Sequence, residues 1–146
     1  MQRIMVVDDD ANIRAVLKYR FEKENYAVQV AANGLEALAQ VDSPELELVI
    51  LDLMMPKMNG IEFLTRLKAN PKTRSIPVIV LTALGHAPQY EKARELGATG
   101  LMEKPFSPRE LVEMVREALD SRSVVKGGEG LPTDALSLSM RGLSRI

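Results

Sequence analysis

Two rhythms of apolar and polar residues take turns along this chain. Arg3-Ile4-Met5-Val6-Val7 is a short β-rich run that stops at three acids, Asp8-Asp9-Asp10. Ile13, Val16, Leu17 and Phe21 then fall at helical spacing and predict an amphipathic helix to about Glu24. Ala27-Val28-Gln29-Val30-Ala31 alternates and reads as a second strand. Asn33 with Glu36 three residues on is a capping pattern; Leu35, Leu38 and Val41 give the helix face that follows, closed by Pro44. Leu48-Val49-Ile50-Leu51 is a continuous apolar run, the mark of a strand buried on both faces, and it runs straight into Asp52. Pro56 ends any regular pairing beyond it.

The second half repeats the scheme. Asn59 and Glu62 form another cap, and Ile61, Leu64 and Leu67 stripe a helix to about Asn70. Ile76-Pro77-Val78-Ile79-Val80-Leu81 is a fourth buried strand ending at Thr82-Ala83. Tyr90, Ala93 and Leu96 mark a helix from about Ala87, stopped by Gly97. Thr99 to Met102 is a short fifth strand that ends in Glu103-Lys104-Pro105-Phe106. Ser107-Pro108-Arg109-Glu110 joins a cap, a proline at the first helical position and a capping acid; Leu111, Met114, Val115 and Ala118 then give one apolar face. Five strand–helix alternations call for an α/β fold: a five-stranded parallel sheet with helices on both faces and right-handed crossovers. That unit occupies residues 1–121. Residues 122–146, with Gly127-Gly128-Glu129-Gly130, have the composition of a linker and short tail, too short for a DNA-binding or enzymatic module.

Composition narrows the function by exclusion. The 146 residues carry a net charge of −1, with no bulk basic signal for nucleic acid or an anionic membrane. There is no cysteine for a disulfide, a thiolate or a Cys-based zinc site. His86 is the only histidine, which argues against multi-histidine metal sites. No apolar run is long enough to span a bilayer, and the N-terminus meets Asp8 too soon for a signal peptide, so a cytoplasmic protein is expected.

The chemistry lies at the strand ends. Asp8 and Asp9 follow strand one, Asp52 ends strand three, Thr82 ends strand four and Lys104 ends strand five. Each alone has an ordinary role: acids ahead of a helix cap it, and Thr or Lys at a strand end is commonly a turn or loop residue. In a parallel sheet, however, these ends share one edge, where open α/β sheets bind ligands. Three carboxylates held close repel unless a cation or a proton joins them. Hard oxygen ligands suit Mg²⁺, which favours a phosphate as co-ligand. A carboxylate there can attack a phosphoryl group, while Lys104, Thr82 and backbone N–H groups stabilise the developing charge.

Four motifs now fall in order: Val6-Val7-Asp8-Asp9-Asp10, Leu51-Asp52-Leu53-Met54-Met55-Pro56 with Asn59-Gly60 behind it, Leu81-Thr82-Ala83, and Glu103-Lys104-Pro105-Phe106. From about Arg3 to Asp120 the chain resembles the receiver domain of bacterial two-component response regulators, the chemotaxis-regulator type with flavodoxin-like topology. The resemblance implies that Asp52 is the phosphoacceptor. It makes Asp8 and Asp9 the acidic pair for Mg²⁺, with Asp9 the direct ligand and the Met54 carbonyl a backbone ligand. Thr82 becomes the hydroxyl that turns toward the phosphoryl group, and Lys104 the lysine that binds it, with a cis bond to Pro105. Met54 and Leu84 occupy the positions that flank the hydrolytic water. One position departs from the family: Leu101 stands where receivers usually carry Tyr or Phe.

The implied function is Mg²⁺-dependent transfer of a phosphoryl group to Asp52 from a histidine kinase or phosphotransfer protein. The product would switch a binding surface on helix four, strand five and helix five for a downstream protein, or for a phosphorylation-dependent homodimer. Catalysis would be limited to self-phosphorylation and self-dephosphorylation, with no direct role for nucleic acid or membrane. The alternative is a receiver-like scaffold that works without phosphorylation. An aspartyl-phosphate phosphohydrolase fits poorly, because such enzymes resemble one another in a second acid two residues after the nucleophile, and that position is Met54.

Overall fold

The computed structural model describes residues 1–43, 45–83 and 87–126, with residue 87 and the last five given by their backbone. Among these described residues five strands and five helices alternate: β1 (Arg3–Val7), α1 (Ala11–Lys23), β2 (Ala27–Ala31), α2 (Gly34–Gln40), β3 (Leu46–Asp52), α3 (Gly60–Ala69), β4 (Val78–Ala83), α4 (Ala87–Glu95), β5 (Gly100–Lys104) and α5 (Pro108–Lys126). All pairings are parallel, in the order β2-β1-β3-β4-β5. The five-stranded parallel sheet expected from the sequence is the one observed.

The continuous apolar runs lie where two layers of helices need them. β1, β3 and β4 are interior strands, and Leu48 to Leu51 and Val78 to Leu81 are fully buried. One face packs with α2, α3 and α4 through Ala37, Phe63, Leu64, Leu67 and Ala93. The other packs with α1 and α5 through Leu17, Phe21, Leu111, Val115 and Leu119. β2 is an edge strand, and its residues are mostly half-buried.

The helix starts follow their capping residues. The side chain of Asn33 accepts from Glu36 N, and Glu36 in return accepts from Ala32 N at 2.8 Å. Asn59 accepts from Glu62 N, and Ser107 from Glu110 N ahead of Pro108. Each cap satisfies a backbone donor that the helix itself cannot.

Several boundaries and two core positions differ from the sequence reading. β3 begins at Leu46, two residues earlier than expected, and β4 at Val78, two residues later. Pro77 has no N–H to give, although its carbonyl accepts from Val49 N at 3.0 Å. Val16 and Leu35, counted as core-facing, are 52% and 53% exposed. The last helix runs on to Lys126, past residue 121. Pro44, the segment around Gly85 and His86, and the tail from Gly127 lie outside the described residues.

The topology fixes where a site can form. From β1 the chain winds one way to β2, then crosses back to β3 and onward to β5. A crevice opens at the carboxyl ends of β1 and β3, where the winding reverses. Val7 pairs with Leu51, so the acids that follow β1 lie level with Asp52 at the end of β3.

Candidate functional site

Asp8, Asp9 and Asp52 meet at that crevice. Each offers a carboxylate oxygen, and the three oxygens lie within 4.8 Å of one another. Asp8 and Asp52 are buried and Asp9 is exposed. Lys104, at the end of β5, reaches across with Nζ 3.0 Å from Asp8 Oδ2 and 3.5 Å from Asp52 Oδ2. The register permits this reach, since Asp52 pairs with Leu81 and Ala83 with Lys104.

The three consecutive acids divide their work. Asp10 is a cap, accepting from Asn12 N at 2.8 Å and Ile13 N at 3.3 Å at the start of α1. Asp8 is held by its own loop: Oδ1 accepts from Asp10 N at 2.9 Å. Asp52 Oδ1 accepts from Met54 N at 3.3 Å, and Met54, two residues beyond Asp52, is exposed. Thr82 is fully buried at the end of β4, and its Oγ1 has no hydrogen-bond partner among the described residues. A buried hydroxyl without a partner is costly, and it marks a place where a ligand oxygen can be accepted. The Lys104–Pro105 peptide is cis.

The electrostatics express the crowding. Burial pushes the Asp52 carboxyl up to about 7, the Asp8 charge adds to this, and Lys104 works against it. Burial alone would lower Lys104, yet the carboxylates of Asp8 and Asp52 outweigh it and the ammonium is held above its ordinary value. With all three carboxylates ionised, one ammonium leaves an excess of two negative charges. An all-oxygen donor set with that excess fits a hard divalent cation.

Two polar ties escaped the sequence. Arg14 Nη1 donates to the Asp8 carbonyl at 2.7 Å. Tyr90 of α4 donates its hydroxyl to Glu103 of β5 at 2.5 Å, and burial with the Glu103 bond pushes that phenol up to about 12. Glu103 shares strand parity with buried Leu101, so a polar group at an inward position was the available signal for the second tie. Nothing in the spacing signals the first. Leu84, paired with Met54 as a flank for water, lies outside the described residues.

The fold and crevice define a doubly wound α/β domain with an acidic pocket at its topological switch point. The chain belongs to the response regulator receiver domain family, whose model matches residues 4–116. It is 39% identical to the transcriptional regulatory protein CpxR of Klebsiella pneumoniae, over 95% of this chain and 61% of that protein. It is 42% identical to the transcriptional regulatory protein ResD of Bacillus subtilis, over 80% of this chain and 48% of that protein. The chain thus spans about half to three-fifths of the length of these curated relatives. Among solved structures it is similar to a CheY-like receiver domain protein from Methanospirillum hungatei. The TM-score is 0.79 and the identity 32%, covering 88% of this chain and 99% of that one. The chemotaxis response regulator CheY4 of Vibrio cholerae matches with TM-score 0.74 and 30% identity, over 80% of this chain and 97% of that one. Receiver domains are signalling domains, and no helix among the described residues is long and apolar enough to cross a membrane.

Proposed function

We propose that this chain accepts a phosphoryl group on Asp52 from a histidine kinase or phosphotransfer protein and so switches a protein-binding surface. The observation that carries the reading is the convergence of the Asp8, Asp9 and Asp52 carboxylates with Lys104 at the ends of three strands. An Asp52 oxygen attacks phosphorus, the bond to the donor nitrogen breaks, and an acyl phosphate remains. Lys104 meets the incoming negative charge, and the Thr82 hydroxyl gains a phosphoryl oxygen as partner. Mg²⁺, held by Asp8, Asp9, Asp52 and the Met54 carbonyl, would supply positive charge to the phosphoryl oxygens. The chain's catalysis is limited to forming and losing this acyl phosphate. Val16 and Tyr19 are exposed on α1 and line an apolar hollow with Pro108, a surface on which a cytoplasmic donor protein can rest. In this reading the receiver proper is residues 1–121, Leu119 being the last buried side chain described, and the glycine-containing stretch 122–146 is not part of its core.

Beryllofluoride, a phosphoryl mimic, tests the reading. It should bind wild type only when Mg²⁺ is present, as followed by ¹⁹F NMR. Asp9→Ala should weaken Mg²⁺ by about tenfold or more. Failure of the mimic and of a small phosphodonor to load Asp52 would leave the phosphorylation-independent scaffold as the function.

The switch should also differ from one built on an aromatic side chain. Leu101 is 1% exposed and packed in the same cluster as Tyr90 and Ala93. It has no polar tip to draw it toward solvent. The change should therefore pass through Thr82, Ala83 and the start of α4, with the Tyr90–Glu103 bond tying that helix to β5. Structures with and without beryllofluoride should show Thr82 and α4 displaced and Leu101 in one rotamer. A Leu101 flip beside a static α4 would refute this.

A further inference from the structure

Three polar groups of Asp8 are hydrogen-bonded, and the fourth, Oδ2, is held by an ion pair. Its N–H donates to the Ala31 carbonyl at 3.1 Å, Oδ1 accepts from Asp10 N, and Oδ2 faces Lys104. Its carbonyl belongs to the Asp8–Asp9 peptide, and that oxygen accepts from Arg14 Nη1 at 2.7 Å. Arg14 lies in the second turn of α1, and its main chain is anchored by Arg14 N donating to Asp10 O at 3.0 Å. No carboxylate among the described residues forms an ion pair with Arg14. The guanidinium thus reaches the main chain of the acidic cluster without forming an ion pair with a described carboxylate. It holds a peptide plane instead, through a charge-assisted hydrogen bond.

That plane matters because Asp9 is the exposed member of the cluster, with none of the burial that fixes Asp8 and Asp52. The orientation of the Asp8–Asp9 peptide sets where the Asp9 carboxylate starts. We infer that Arg14 is a positioning residue for the cation site, fixing the Asp8–Asp9 peptide so that Asp9 is presented beside Asp8 and Asp52. This rests on the Mg²⁺ reading of the pocket. The inference has a sign that simple charge does not share. Removing a cation near an acidic pocket strengthens Mg²⁺ binding by Coulomb's law. Releasing the peptide weakens it, because Asp9 must then be ordered at the moment of binding.

The experiment is a calorimetric titration with MgCl₂ alone at fixed ionic strength, on the full chain as wild type, Arg14→Met and Arg14→Lys. Metal-free melting temperatures are recorded for all three. Arg14→Met should bind Mg²⁺ about tenfold more weakly, the scale seen when a group that orients a ligand is lost. Arg14→Lys, whose ammonium can donate to the same carbonyl, should recover most of that loss. The metal-free melting temperatures should agree within a few degrees. Equal or tighter Mg²⁺ binding by Arg14→Met overturns the inference. So does a lysine variant no better than methionine, or a fall in metal-free melting temperature that tracks the lost affinity. Absence of Mg²⁺ binding by wild type would instead remove the metal reading itself.

Discussion

Asp52→Asn should abolish beryllofluoride uptake and, in the absence of metal, make the protein more stable at pH 8. The two effects have one cause. The Asp52 carboxyl is raised to about 7 from an ordinary 3.8, first by burial and then by Asp8. The folded state therefore holds a proton there that the unfolded state releases at lower pH. Stability from this group is fully present below about 4, declines as pH rises, and is gone above about 7. A gap of about three units corresponds to a penalty of the order of 4 kcal/mol at pH 8. Asparagine keeps the shape, can still accept from Met54 N, carries no charge, and leaves Lys104 paired with Asp8 at 3.0 Å. In chelator at pH 8 the variant should melt roughly 5 °C or more above wild type. The difference should shrink toward pH 5, where wild type holds its proton, and again when Mg²⁺ stabilises wild type selectively. Thermal melts at pH 5 and pH 8, each with chelator and with Mg²⁺, test all four corners. A variant less stable than wild type at pH 8 in chelator would show that the carboxylates are not in conflict. Undiminished mimic uptake would show that Asp52 is not the acceptor.

The sequence carried the scheme of the fold and lost detail where neighbours decide. Leu48 to Leu51 and Val78 to Leu81 were legible as interior strands because burial on both faces leaves an unbroken apolar run. The caps at Asn33, Asn59 and Ser107 were legible because capping is local chemistry. Helix faces were less so. On α1 the inward stripe is Leu17 and Phe21, and Val16, one residue off that line, points aside. On α2 the buried residues are the small ones, Gly34 and Ala37, with Val41 beyond them and Leu38 partly buried against the same core. Close approach to a neighbour, not side-chain size, selects that stripe, so Leu35 was misread as core. At the site, convergence of Asp8, Asp9, Asp52 and Lys104 follows from parallel strands sharing an edge. The division of labour among the three acids does not. Asp10 capping, Asp8 buried and Asp9 exposed depend on the path of one loop, and the Arg14 bond to the Asp8 carbonyl depends on the same path.

Gly60→Ala should cost more stability than any surface change and should disturb the pocket as well. Helix propensity alone gives the opposite sign, since alanine is favoured over glycine within a helix by about 1 kcal/mol. The packing decides against it. A Cβ on Gly60 would lie 2.5 Å from the Asp52 carbonyl oxygen and 2.6 Å from Leu53 Cα, both of them backbone atoms. Gly60 N also donates to the Leu53 carbonyl at 2.9 Å, which holds the start of α3 against the end of β3. Neither neighbour can turn a side chain away, so the helix start or the strand end must move. Moving α3 drags Phe63, Leu64 and Leu67, each fully buried, out of register with the sheet. Moving the strand end displaces Asp52. Overpacking of this kind costs about 3 kcal/mol, a large share of the whole stability of a domain this size. The melting temperature should fall by roughly 10 °C or more. At temperatures where the variant remains folded, beryllofluoride should bind more weakly than to wild type, because the acceptor has shifted against Lys104 and the acidic pair. A melting temperature equal to or above wild type would mean that α3 has room to withdraw from β3, and the contact that positions Asp52 would then be looser than the 2.9 Å bond implies.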